Sequence, residues 1–233
     1  MLKVAGLNAR YGTSHILFDL GLAVGAGEVV VLLGRNGAGK TTTLKSVMGV
    51  LATRSGSIRF NGDEIGQLAS DEICRRGMGY VPEDCRVFRG LSVRENLEAG
   101  RRRPQPGREC WDEERVFGLF PDLRRCAPRR ADSLSGGQQR MLAIARTLMG
   151  NPSLLLLDEP SEGLAPLVVQ DMLDQLKKLK QTGVTILLSE QNLKFSLQLA
   201  DRVYIIEKGS IMYEGSAAGL SEDSATRAAF LMV

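Results

Sequence analysis

Val29-Val30-Val31-Leu32-Leu33-Gly34-Arg35-Asn36-Gly37-Ala38-Gly39-Lys40-Thr41-Thr42 decides the fold. Five consecutive apolar, mostly β-branched residues are the pattern of a strand buried on both faces, as in the centre of a parallel sheet. Gly34 to Thr41 fits G-x-x-x-x-G-K-[ST] without mismatch, and Leu44, Val47 and Met48 follow at helical spacing. Strand, glycine loop and helix therefore come in the order a phosphate site needs. Glycines let successive backbone N–H groups of Gly34, Arg35, Asn36, Gly37, Ala38 and Gly39 turn inward, and the helix N-terminus adds partial positive charge. Lys40 would reach the β/γ-phosphates, Thr41 would place its hydroxyl on Mg²⁺, and Thr42 could donate to a phosphate oxygen. The alternative is a Gly-rich turn with a chance lysine; the flanking strand and helix argue against it.

The chain has 233 residues, 43% hydrophobic and 24% charged, enough for one large domain or two intimately packed lobes. No apolar run approaches the roughly 18 residues of a membrane span. Met1-Leu2-Lys3-Val4 opens a strand pattern in place of a secretory signal, so a cytosolic chain is expected, reaching membranes only through partners. Cys74, Cys85, Cys110 and Cys126 form no C-x-x-C pair, which indicates neither zinc nor a redox motif. Of the net charge of +3, the stretch from Arg101 to Arg130 carries nine arginines against five acids, leaving −1 for the remainder. Such a patch could face nucleic acid, lipid or an acidic partner, but it lacks the interleaved aromatics of base stacking and reads better as a solvated face.

Residues 3 to 24 alternate as two strands broken at Tyr11-Gly12-Thr13-Ser14, where Tyr11 could stack on a nucleobase or simply pack. Gly56 to Phe60 and Met78 to Val81 read as further strands, the first ending in an Asn61-Gly62 turn, the second leading through Pro82 to Glu83. Ser92-Val93-Arg94-Glu95 is a capping box, and helical spacing without strands runs from there to about residue 148, interrupted by a loop at Pro104, Pro106 and Gly107. Ser135-Gly136-Gly137-Gln138 opens a helix with a second anion-binding end. Leu154 to Leu157 is another buried strand that delivers Asp158 and Glu159 to its C-terminal edge, where open parallel sheets bind ligands. Asp158 suits a Mg²⁺-linked water and Glu159 suits orienting and deprotonating an attacking water. A helix from Pro166 to Gly183, a buried strand delivering Ser189-Glu190-Gln191 to the same edge, a hairpin around Lys208-Gly209 and a short C-terminal helix or tail complete the chain.

With the phosphate loop, Leu134-Ser135-Gly136-Gly137-Gln138 and Leu157-Asp158-Glu159-Pro160 in this order, the chain resembles the ATP-binding cassette of ABC transporters over nearly its whole length. The resemblance implies an α/β fold of the P-loop NTPase kind, with a mainly parallel core sheet, an N-terminal antiparallel β region and an inserted helical lobe. It implies one cassette over 1–233, with its core at 1–91 and 149–233 and the lobe at about 92–148. It also implies that Ser135, Gly136, Gly137 and Gln138 close on the γ-phosphate held by another cassette, which accounts for two phosphate-seeking helix ends in one chain. Tyr11 then matches the adenine-stacking aromatic, Glu83 the Q-loop residue at the Mg²⁺ shell, Asp158 the Walker B aspartate and Glu159 the catalytic base. Tyr80-Val81-Pro82-Glu83, Gly163-Leu164-Ala165-Pro166 and Glu190-Gln191-Asn192 look like the ATPases of branched-chain amino acid importers, with urea importers as close relatives. Such ATPases use ATP and Mg²⁺. They lie peripherally on the cytoplasmic face of the inner membrane, with a second cassette, two membrane permeases and, indirectly, an external solute-binding protein as partners. No nucleic acid is expected.

The departures from the general pattern are specific. Glutamate stands at position 83 where most cassettes carry glutamine, Ala165 replaces the D-loop aspartate, and Gln191 occupies the switch-histidine position. His15, the one histidine, reads as a polar strand or loop residue. A GTPase would need Asn-Lys-x-Asp, which is absent, and a soluble ABC ATPase acting on DNA or ribosomes would carry coiled coils, zinc modules or two cassettes in one chain. An exporter cassette shares all the ATP chemistry.

Overall fold

In the computed structural model, which describes residues 1–52, 54–104 and 110–231, the alternating N-terminal residues pair as β1 (Leu2–Tyr11) and β2 (Ser14–Val24). The all-apolar run becomes β3 (Val29–Leu33), buried at every position, and the phosphate loop leads into α1 (Lys40–Val47). β4 (Arg54–Phe60) pairs with β1 and with β5 (Asp63–Glu64), giving a four-stranded antiparallel sheet in the order β2-β1-β4-β5. α2 (Ser70–Arg75) precedes β6 (Met78–Val81). Then follow α3 (Val93–Gly100), α4 (Glu113–Leu119), α5 (Pro121–Arg125) and α6 (Gly136–Leu148). The remainder is β7 (Leu154–Asp158), α7 (Pro166–Gln181), β8 (Thr185–Glu190), α8 (Leu193–Leu199), β9 (Arg202–Glu207), β10 (Ser210–Ser216), α9 (Ala217–Glu222) and α10 (Ser224–Leu231).

The second sheet has the order β10-β9-β3-β8-β7-β6, parallel except for the β9–β10 hairpin at one edge. Its register places Leu33 beside Glu190 and Asp158 beside Ser189, so the phosphate loop and both acidic strand ends open at one edge. One face packs Val30, Leu32, Leu156 and Leu187 against the antiparallel sheet and α1; the other packs Val31, Leu33, Leu155 and Leu188 against the helices. Leu97, Phe117, Leu123 and Leu142 of α3–α6 join that second cluster, so the helical segment is fastened to the sheet by one continuous apolar layer.

Two short helices have no counterpart in the sequence reading. α2 buries Ile73 alone, and α8 buries Phe195, Ser196 and Leu199 within seven residues, too few turns for a 3.6-residue period to stand out. Of the loop expected at Pro104, Pro106 and Gly107, the last two lie outside the described residues. Among the described residues, four of the nine arginines of the basic stretch pair with acids: Arg101 with Glu98 and Arg130 with Asp132, just outside it, and Arg124 with Glu114 and Arg125 with Asp122, within it. His15 hydrogen-bonds Asn8 at 3.1 Å and stacks on Phe18, 4.1 Å between ring centres.

The β9–β10 turn braces the phosphate loop. Gly209 N–H donates to the Ala38 carbonyl at 2.9 Å, and Phe18 N–H to the Gly209 carbonyl at 3.0 Å. Gly209 has φ +84°, and a Cβ there would stand 1.9 Å from the Ile16 carbonyl oxygen. Gly209→Ala is expected to cost about 1–3 kcal/mol from backbone strain alone, read as a lowered midpoint of thermal or urea unfolding; wild-type stability would refute the brace.

Candidate functional site

Lys40 begins α1 directly after Gly39, whose φ of +112° turns the chain from loop to helix and which leaves the helix without a side-chain cap. The first helical N–H groups are thus open to an anion. The Lys40 ammonium is buried and held three ways: by the Gly34 carbonyl at 2.8 Å, the Arg35 carbonyl at 3.0 Å and Glu159 Oε1 at 3.0 Å. Asn36 of the same loop accepts from Gln191 Nε2 at 2.5 Å, and that amide also donates to Glu159 Oε2 at 2.7 Å. Residues separated by over a hundred positions meet at one point because β3, β7 and β8 are neighbours in the sheet.

Burial alone would raise the Glu159 pKa. Hydrogen bonds from Glu162, Gln191 and Lys40, and the lysine charge, outweigh it and hold the carboxyl below its ordinary range. Glu159 is therefore held as a carboxylate; its backbone has φ +45°, with its N–H fixed by the Ser189 carbonyl at 3.2 Å and Ser189 Oγ at 3.1 Å. The Glu162 carboxyl is pushed up to about 7 by its hydrogen bond to Glu159, by burial and by the charges of Glu159 and Glu83.

Asp158 accepts from Thr41 Oγ1 at 3.0 Å and Ser189 Oγ at 2.7 Å on one oxygen, and from the Tyr80 hydroxyl at 3.0 Å on the other. Burial and Asp158 push the Tyr80 phenol up, so it remains a donor. The adjacent Thr41 hydroxyl and Asp158 carboxylate form the hard-oxygen set that Mg²⁺ prefers. Glu83 is exposed, and its backbone carbonyl, not its carboxylate, is engaged, accepting from Arg140 Nη2 at 3.2 Å. Among the described residues no three His, Cys, Asp or Glu gather as a metal cluster.

A cavity of about 440 Å³ is lined by Arg35, Asn36, Gly37, Ala38, Gln191, Glu207 and Lys208, and one of about 370 Å³ by Asn36, Glu159, Ser161, Glu162, Glu190, Gln191 and Asn192. Tyr11 lines neither; it stands exposed at the β1–β2 turn. Ser135, Gly136, Gly137 and Gln138 also line neither. Ser135 and Gln138 form a reciprocal capping box at the start of α6, and a Cβ on Gly137 would meet Val168 at 2.4 Å. Thr42 is buried in α1.

A profile described as ABC transporter matches residues 17–162. The chain belongs to the ABC transporter family. This cassette is 42% identical over 231 residues to the high-affinity branched-chain amino acid transport ATP-binding protein BraG of Pseudomonas aeruginosa, 99% of each chain. It is 33% identical over 239 residues to the lipopolysaccharide export system ATP-binding protein LptB of Escherichia coli, covering 99% of the chain and 96% of the relative. A nucleotide-free ATP-binding cassette of an ABC transporter superposes with a TM-score of 0.82 at 26% identity, covering 97% of this chain and 96% of the other. The cassette is an ATPase of the P-loop α/β fold. No helix among the described residues is long and apolar enough to cross a membrane.

Four contributors escaped the sequence reading: Tyr80, Arg140, Glu162 and Glu190. Arg140 Nη1 reaches the carbonyls of Glu159 at 2.7 Å, Pro160 at 2.9 Å and Glu162 at 3.0 Å. Their one sequence signal was proximity to motifs already recognised; their partners lie 19 or more residues away or answer to loop shape.

Proposed function

We propose that the cassette is the ATP-hydrolysing subunit of an importer for branched-chain or other hydrophobic amino acids. It works on the cytoplasmic face of the inner membrane beside a second cassette and two permeases, with a solute-binding protein outside. The likeness to BraG over 99% of both chains supports the cargo class. The observation carrying the hydrolytic part is the meeting of Lys40, Asn36, Glu159 and Gln191 within hydrogen-bonding distance. Lys40 and the loop N–H groups bind the β/γ-phosphates, and Tyr11 stacks on adenine. Thr41 and Asp158 would hold Mg²⁺, with Glu83 contributing to its shell, and the metal would neutralise phosphate charge. Glu159 accepts the proton of the attacking water, and the Gln191 amide orients the reacting group. The Ser135–Gln138 turn serves the phosphate of a second chain, a reading supported by the fact that none of its residues lines either cavity beside its own phosphate loop. Residues at about 92–148 act as a lobe on the core at 1–91 and 149–233.

Gln191 can donate a hydrogen bond but carries no charge and exchanges no proton at working pH. Gln191→Ala removes one hydrogen bond to Asn36 and one to the Glu159 carboxylate, and is expected to slow hydrolysis about tenfold, where the ranges for a neutral and a charge-assisted hydrogen bond meet. Loss as complete as that of Glu159→Gln would end its assignment as an auxiliary positioner.

The cargo is tested on the solute-binding protein encoded beside this chain, because the cassette never touches the solute. Binding of leucine, isoleucine or valine is expected; selective binding of urea or amides would replace the cargo. The likeness to LptB supports a second reading, an export cassette. Permeases encoded alongside without any solute-binding protein would favour it.

A further inference from the structure

Glu190 ends β8 with its side chain 2% exposed, yet no step above uses it. Its carboxylate is held by the Ser161 side chain and by three backbone N–H groups. Oε1 accepts from Ser161 N–H at 2.9 Å, and Oε2 from Gln191 N–H at 3.0 Å and Asn192 N–H at 3.1 Å. Its own carbonyl accepts from Gly34 N–H at 3.3 Å, the first residue of the phosphate loop. One residue thus holds the start of the phosphate loop, the segment two residues after Glu159, and the turn that carries Gln191.

Burying a carboxylate is costly unless each oxygen is satisfied, and here three N–H groups from two loops do so, with the Ser161 side chain. The arrangement needs an acceptor on both arms. Glutamine has nearly the same shape, but its NH₂ arm would face N–H groups and leave at least one buried donor without a partner. Burial raises the Glu190 carboxyl above its ordinary range, opposed in part by the Ser161 side chain and by the Asn192, Ser161 and Gln191 N–H groups.

We propose that Glu190 is a positioning residue for ATP hydrolysis, which clamps the Ser161 segment and the Gln191–Asn192 turn together and thereby sets the Gln191 amide on Glu159. The inference rests on the assignment of Glu159 as base and Gln191 as its partner. It concerns turnover and not phosphate binding, since Lys40 and the loop N–H groups do not depend on the clamp.

The test is a double-mutant cycle in the intact chain with Mg-ATP, using Glu190→Gln, Gln191→Ala and the pair, with Glu159→Gln measured alongside. Glu190→Gln should lower kcat about tenfold, as Gln191→Ala does, since both act through the Gln191 amide. KM should stay within about twofold, and the double variant should be no slower than the slower single one. Glu190→Asp keeps the charge but withdraws the carboxylate by one methylene; it should show the same kcat loss, and it is read alone if Glu190→Gln does not fold. Wild-type kcat in the folded variants, or losses that multiply in the double variant, would overturn the clamp. A raised KM with unchanged kcat would overturn it too. Wild-type turnover of Glu159→Gln would overturn the underlying assignment and the clamp with it, whereas a slow Glu159→Gln beside a fast Glu190→Gln removes the clamp alone.

Discussion

Lys40→Ala is expected to abolish useful ATP binding and hydrolysis together. Its ammonium is the one cation the phosphate loop buries at the site, and it already gathers three oxygens that a phosphate would rival. Alanine leaves the Glu159 carboxylate and two carbonyls facing each other with no donor between them. Removing one partner of a buried ion pair costs about 3–5 kcal/mol, so the variant's unfolding midpoint must be recorded beside its nucleotide affinity. A folded variant with near-wild-type affinity and turnover would sink the assignment. The same variant tests the shared site. Mixed with a chain defective at Gly137, it should recover some hydrolysis through one intact composite site in a homodimer, and no recovery in verified mixed dimers would count against action across chains.

Glu159→Gln should bind ATP yet hydrolyse it about 10²–10⁴-fold more slowly, the usual contribution of a general base. The amide keeps the shape of the carboxylate but cannot take a proton, and it releases Lys40 from its ion pair, so affinity should hold or tighten. Single-turnover hydrolysis against equilibrium nucleotide binding separates the two effects. Normal hydrolysis would show that the base lies elsewhere.

The phosphate loop was legible because its chemistry is continuous in the chain: Gly34 to Thr41 carries the turn, the cation and the hydroxyl within eight residues. β3, β7 and β8 were legible because burial on both faces leaves an apolar run no other element produces at that length. Local physics read Tyr11 as stacking or packing and the Ser135–Gln138 turn as an anion-binding helix end; the resemblance supplied the adenine, the second chain and the part proposed for Glu83. What stayed hidden depends on distance through space. Of the arginines from Arg101 onward, Arg124 meets Glu114 across two helices, whereas Glu98, Asp122 and Asp132 are sequence neighbours of Arg101, Arg125 and Arg130 and fit the solvated face the sequence suggested. Glu190 read as one polar residue among three, because three of its partners are backbone N–H groups that sequence does not distinguish.

Arg140 has a consequence for how two active sites share one timetable. Its guanidinium sits one turn into α6 and grips the carbonyls of Glu159, Pro160 and Glu162, and through its other nitrogen that of Glu83. The first turn of α6 is the part proposed above to meet a neighbouring chain's phosphate; the carbonyls belong to the loop that carries Glu159, the proposed base. In the dimer proposed above, a shift of the helix tip toward a neighbouring chain's nucleotide would be carried by the Arg140 guanidinium to the peptide group of Glu159, so filling one half would be felt in the backbone of the other.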